Sequence, residues 1–138
     1  MGHNIYWDNE DQSVVVQEYS GEPSKDDLYQ LAEESAAMLC TVEHTVHLII
    51  DERNVTFMLN SDDMTFLEKL TPKNQGAVVM VVPPARLPYK TALQFLGKRF
   101  GPKAFAKPFF AETLDDARKF LREAFGVKYP AQTPQENS

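Results

Sequence analysis

The chain has 138 residues, 43% of them hydrophobic and 25% charged, and a net charge of −6. This length and composition fit one domain with a sizeable core rather than a disordered segment, and the acidic balance argues against a general nucleic-acid binder. The only cysteine, Cys40, excludes an internal disulfide or a cysteine zinc cluster, and no apolar run reaches the roughly 20 residues that span a bilayer.

In chain order, IYWD (Ile5 to Asp8) and SVVVQEYSG (Ser13 to Gly21) predict two short strands, joined as a hairpin by the turn-forming DNEDQ. Ser24 then reads as a helix N-cap with Asp27 at the third helical position. Leu28, Leu31, Ala32, Ser35, Met38 and Leu39 recur at helical spacing and make one buried face. Thr45 to Asp51 is a continuous β-branched and apolar run, the pattern of a strand covered on both faces. Ser61 to Leu70 predicts a second helix, capped by Ser61, with Asp62 and Asp63 in its first turn.

Gly76 to Val82 is another fully buried strand. PPARLP ends it and opens a helix with Tyr89, Leu93, Leu96 and Phe100 on one face. PFFAE is a short strand. Thr113 caps the last helix, whose Leu114, Ala117, Leu121 and Ala124 are expected to face inward, and Gly126 ends it. The order ββαβαβαβα implies an α/β domain with a mostly parallel sheet covered by helices, spanning residues 1–127, and a loose polar tail over 128–138. No signal-peptide pattern opens the sequence, and a cytoplasmic location is the expectation.

The segment LIIDERNVTFMLNSDDMTFL resembles the central signature of STAS domains, which runs from a hydrophobic strand and an aspartate through a "gVTF" phrase to Asp-Ser-Ser/Thr-Gly at a helix start. Asp51, Val55, Thr56 and Phe57 match the first part. The ends of the chain, YWDNEDQSVVVQEYSG and FFAETLDDARKFL, look most like the SpoIIAA-like branch, related in fold to CRAL-TRIO lipid-binding domains. The resemblance implies one STAS-like domain over about Ile5 to Phe125. It departs from the signature at the regulatory site: Leu59 replaces the aspartate, Asn60 the phosphoacceptor serine and Asp62 the glycine. Ser61, beside Asn60, is the remaining candidate phosphoacceptor.

Charge is divided along the chain. Met1 to Thr71 carries 15 Asp/Glu and 3 Lys/Arg, and Pro72 to Ser138 carries 5 and 11. Arg86, Lys90, Lys98, Arg99, Lys103 and Lys107 lie in an acid-free stretch interleaved with aromatic residues, including Tyr89. Its ordinary meaning is a solvated helix face, and its functional meaning is an anion or acidic-surface site. Arg86, after the Gly76 to Val82 strand, and Asp51, ending the previous one, belong to the same edge of a parallel sheet, where ligands of open α/β sheets gather. Phe57, Met58 and Leu59 are expected to add exposed apolar contacts there.

His44 and His47, three apart on an extended segment, are expected to point to opposite faces, and no metal motif is present. Nucleotide, cofactor and GxSxG signatures are absent, and Cys40 reads as a small buried hydrophobe. The expectation is a non-enzymatic binding or regulatory module. It engages a protein partner or a small amphipathic or anionic ligand through Asp51, Phe57, Met58, Arg86, Tyr89 and Lys90, needs no cofactor, and is able to form a homodimer. The alternatives are a phosphoswitch at Ser61 and an enzyme with an unrecognised site near Asp51 and Arg86.

Overall fold

The sequence's alternation of buried and half-buried residues is realised in a computed structural model that describes residues 2–82 and 109–129. β1 (His3–Trp7) and β2 (Val14–Tyr19) pair antiparallel as a hairpin. β2, β3 (Val46–Asp51), β4 (Gln75–Val81) and β5 (Phe109–Ala111) pair parallel, in the spatial order β1-β2-β3-β4-β5. The helices are α1 (Lys25–Leu39), α2 (Ser61–Leu70) and α3 (Leu114–Phe125). The helix expected around Tyr89 to Phe100, and with it Arg86, Tyr89 and Lys90, lies outside the described residues, as does 130–138.

The connections β2–α1–β3 and β3–α2–β4 advance across the sheet in the same direction, so helices of one crossover hand fall on one face. There α1 and α2 cover Val15, Tyr19, Leu48, Ile50, Val78 and Met80. α3 covers the other face, burying Val14, Val16, Ile49, Val79 and Val81 against Ala117 and Leu121. The period-2 alternation of β2 and β3 thus feeds two cores. Of the four inward positions expected in α3, Ala117 and Leu121 are buried and Leu114 half-buried. Ala124 is exposed, because the apolar stripe of this short helix drifts off the sheet by its last turn.

Helix ends follow capping chemistry, with one correction. The N-cap of α2 is Asn60, not Ser61. Asn60 Oδ1 accepts the Asp63 N–H at 2.9 Å, and Asp63 Oδ2 accepts the Asn60 N–H at 2.9 Å. The reciprocal pair needs an acid three residues after the cap, which the register from Asn60 provides and that from Ser61 does not. Ser61 is exposed in the first turn. Cys40, expected to be buried, is exposed because it caps α1 where the helix leaves the core. α3 starts on Thr113 and ends on Gly126 at φ 68°, a left-handed conformation that glycine adopts without a Cβ penalty.

The β3–β4 ladder contains a bulge. Val46 pairs Gln75, but Leu48 pairs Val78, so Gly76 and Ala77 together oppose His47. The displaced Ala77 N–H donates to His47 Nδ1 at 2.9 Å. A Cβ on Gly76 would lie 2.5 Å from that nitrogen. Burial lowers the pKa of His47, and its accepting Nδ1 requires the neutral ring.

The last helix and the residues after it meet the hairpin turn. The Arg118 guanidinium holds Asp8 with two 2.9 Å bonds, and Tyr129 Oη donates to Asp8 Oδ2 at 2.8 Å. Asn9 Nδ2 donates to Lys128 O at 2.9 Å. Lys128 and Tyr129, expected to begin a loose tail, are therefore anchored at this point, since Tyr129 supplies the phenol and Lys128 the carbonyl that these buried turn groups bind.

On the opposite face His3 bridges α1. Its Nδ1 lies 2.6 Å from Asp27 Oδ1 and its Nε2 3.2 Å from Glu34 Oε1. The Asp27 bond raises the His3 pKa above 6.5 against the opposing effect of burial, and His3, with the Ser24 N–H, holds Asp27 down at about 2 instead of 3.8. The signs differ. The His3 contribution is complete below pH 6.5 and lost as pH rises through its raised folded value. The Asp27 contribution is complete above 3.8 and lost as pH falls toward about 2. The stability difference between wild type and His3→Gln is therefore expected to peak in the mildly acidic range and to shrink in alkali. Urea unfolding across pH checks it, and a difference that grows with alkalinity would refute the bridge.

A candidate binding cavity between α1, α2 and the sheet

A cavity of about 40 Å³ lies where α1 and α2 meet the sheet. Its walls follow from local sequence. On α1, Ala32, Ser35 and Ala36 are too short to fill the space that Leu28 closes at one end. Leu67, Leu70, Thr71 and Pro72 form the α2 side, and Leu48, Ile50 and Leu59 supply apolar floor and rim. Roughly 10–15 Å³ of such volume houses one water-sized group, so the cavity accepts a fragment of a few heavy atoms without rearrangement.

The polar groups in this wall are unusual for their burial. β2 turns Val15, Gln17 and Tyr19 toward the helices, and Gln17 and Tyr19 both line the cavity at 6% and 2% exposure. Gln17 is opposite Ile5 on one side and Ile50 on the other. The Tyr19 hydroxyl is buried with no hydrogen-bond partner. Burial, with the negative field of Glu52 and Asp27 adding to it, keeps this phenol protonated far beyond its ordinary range. Gln17 and the buried Ser35 line the same wall. Glu52, 3% exposed, lies in the same wall.

An unsatisfied buried hydroxyl costs about 1–3 kcal/mol. Tyr19→Phe is accordingly expected to leave the ligand-free protein as stable as wild type or to raise its unfolding free energy by about 1 kcal/mol. Chemical denaturation checks this, and a loss above about 1 kcal/mol would show that the hydroxyl is bonded after all.

Of the residues expected from sequence to form a site, the described ones, Asp51, Phe57 and Met58, do not line this cavity. Asp51 projects to the α3 face and is held by Arg53, whose Nε and Nη2 reach its two carboxylate oxygens at 2.9 and 2.6 Å and whose N–H reaches Oδ1 at 3.1 Å. Phe57 is half-buried and meets the Tyr19 ring edge-on at 5.9 Å, while Leu59 is buried. Of the three apolar loop residues only Met58 is exposed, at 48%. The expectation that all three are exposed fails because the loop folds back onto the α1/α2 core.

His44 and His47 do not diverge as expected but border one open depression, because His44 precedes the strand and turns to donate to Gln12 O at 2.8 Å. Among the described residues, no three His, Cys, Asp or Glu side chains converge to hold a metal, and no helix is long and apolar enough to cross a membrane.

The sequence reading missed Gln17, Tyr19, Ser35 and Glu52. One signal was present: a glutamine at an inward position of VVVQEY, in a stripe otherwise apolar. In comparisons with known proteins, the chain matches no family model and is similar to no curated protein or solved structure.

Proposed function

We propose that this chain is a non-enzymatic, STAS-like binding module, one domain of order ββαβαβαβα, that takes a small amphipathic ligand into the cavity between α1, α2 and the sheet. One observation carries the reading: a cavity with apolar walls in which the Tyr19 hydroxyl is buried without a hydrogen-bond partner, beside Gln17 and Ser35. Binding sites combine apolar lining with a few placed polar groups, and a folded core rarely leaves such groups unpaired. The described strands and helices, and the VTF phrase leading to a capped helix, support the STAS-like part.

The alternative of a phosphoswitch draws support from Ser61, exposed in the first turn of α2, where a phosphoryl group would meet the helix dipole but also the neighbouring Asp62. The alternative of an enzyme at Asp51 is weakened by the Arg53 clamp, which already occupies both carboxylate oxygens.

Native and denaturing mass spectrometry of protein purified gently from its own host tests the reading. The expected result is a small-molecule mass increment seen only under native conditions, together with a fall in melting temperature when the molecule is removed. A bare monomer would count against the module as a ligand carrier. A phosphate-sized increment that survives denaturation and maps to Ser61 would replace it with the switch.

A further inference from the structure

Tyr19 ends β2 with its side chain on the α1/α2 side of the sheet, 2% exposed, in the wall of the cavity. A phenylalanine would fill the same space with no hydroxyl to desolvate, so packing does not explain the oxygen. That hydroxyl is buried and has no hydrogen-bond partner among the described residues. Glu52 in the same wall differs, because it has an interaction partner of its own.

The hydroxyl is also held in place. Tyr19 pairs with His3 across the hairpin, Asn54 Nδ2 donates to Tyr19 O at 3.2 Å, and Phe57 packs edge-on against the ring at 5.9 Å. With backbone and ring fixed, rotation of the O–H about its C–O bond is the freedom that remains. Burial keeps the phenol protonated far beyond its ordinary range, so the group stays a donor across ordinary pH. A phenol donates better than it accepts, because its oxygen lone pair is delocalised into the ring.

We propose, on the binding-module reading, that Tyr19 is the anchoring donor of the cavity and that the ligand is a carbonyl compound, an apolar body whose C=O oxygen accepts the Tyr19 O–H. A carbonyl oxygen offers two lone pairs and carries no hydrogen that would need an acceptor of its own. An ammonium group has no lone pair with which to accept this O–H. About 40 Å³ takes the carbonyl and the first carbons beside it, against Leu28, Leu48 and Ile50, and a longer tail requires α1 and α2 to part.

The test is a titration of the full chain and of its Tyr19→Phe variant with three probes, followed by amide proton–nitrogen correlation spectra. The probes are 2-butanone, 2-methyl-1-butene, which puts C=CH₂ in place of C=O at nearly the same shape, and n-butylamine. Butanone is expected to shift the amides of cavity-lining residues saturably. Tyr19→Phe, which is expected to be at least as stable as wild type, should weaken butanone at least about fivefold and leave the butene unchanged or tighter. With butanone labelled by ¹³C at its carbonyl, the bound resonance is expected further downfield in the wild type than in the variant, the signature of an accepted hydrogen bond.

Equal weakening of butanone and the butene, or weakening of neither, would overturn the bond from Tyr19 to a carbonyl while leaving the cavity a binding site. Butylamine binding that depends on Tyr19 when butanone binding does not would overturn the acceptor and put a cationic ligand in its place. Absence of saturable shifts at every cavity-lining residue with all three probes would overturn both the carbonyl ligand and the binding module itself.

Discussion

Asp8→Ala is expected to cost about 3–5 kcal/mol of stability, the range for breaking one partner out of a buried charge pair. The side chain of Asp8 is 5% exposed and that of Arg118 is 23% exposed. Removing the carboxylate leaves a guanidinium that has lost its two bonds to Asp8 and a Tyr129 phenol that has lost its acceptor. Arg118 retains Asp115 at 3.3 Å, an exposed acid in the preceding turn, and its own partial access to water, which draws the expected loss toward the lower end of the range.

The pair also joins distant parts of the chain, since Asp8 follows β1 while Arg118 and Tyr129 come from α3 and beyond. Loss of the carboxylate should therefore loosen the packing of α3 before the rest of the sheet, and earlier amide exchange in α3 than in β3 would show it. Asp8→Asn, which keeps one acceptor, should fall between. Urea midpoints at unchanged denaturant slope measure these differences. A cost below about 1 kcal/mol for the alanine variant would mean that Arg118 finds water as good a partner.

The second large effect is expected at Asp63, where alanine should cost about 2–4 kcal/mol from a lost cap and newly unpaired partners. This 1%-exposed carboxylate accepts from the Asn60 N–H, from Tyr29 Oη at 2.5 Å and from Lys25 Nζ at 2.8 Å. Burial alone would raise its pKa. The bonds from Lys25, Tyr29 and Asn60 outweigh burial and hold it below 3.8. Tyr29 also packs edge-on against Phe66 at 4.5 Å, so the same junction fixes the spacing of α1 and α2.

Those helices form two walls of the cavity, so Asp63→Ala should weaken small-molecule binding as well as stability. A double-mutant cycle with Tyr29→Phe isolates their hydrogen bond. Additive losses at the two positions would show that the bond contributes nothing of its own.

The parts of this molecule that were legible in its sequence are those governed by short-range rules. The VVVQEY and VHLIID runs, the capped 15-residue α1 and the Thr113-to-Gly126 span of α3 all carry their own periodicity and end signals. The cap of α2 was misplaced by one residue because Asn60 and Ser61 are both good capping residues and only the partner three positions on distinguishes them.

The cavity was not legible for a different reason. It arises from small residues on α1 facing an inward glutamine and tyrosine on β2, contacts set by packing between elements. The acid that the sequence makes conspicuous is Asp51, which ends an apolar run. Strand parity places Asp51 with Ile49 on the α3 face and sends Glu52 toward the cavity, so one step along the strand changes which acid faces the candidate site.

The bulge in β4 binds two distant positions to a common fate. At position 76 there is no room for a Cβ because the imidazole of residue 47 occupies it, and at position 47 the imidazole is needed because the bulge has stranded the Ala77 amide. Neither residue can be exchanged freely while the other is kept. Adding a methyl group at Gly76 forces the ring aside and strands the amide, while trimming His47 opens space but leaves the same donor without an acceptor. The second of these changes removes the imidazole from the path of the first and leaves only the Thr45 methyl, 2.8 Å away, to shift, so the pair is less harmful together than the sum of its parts. Positions 47 and 76 form a local lock whose two halves must be redesigned jointly, and that couples the choice of residue on β3 to a glycine 29 positions away on β4.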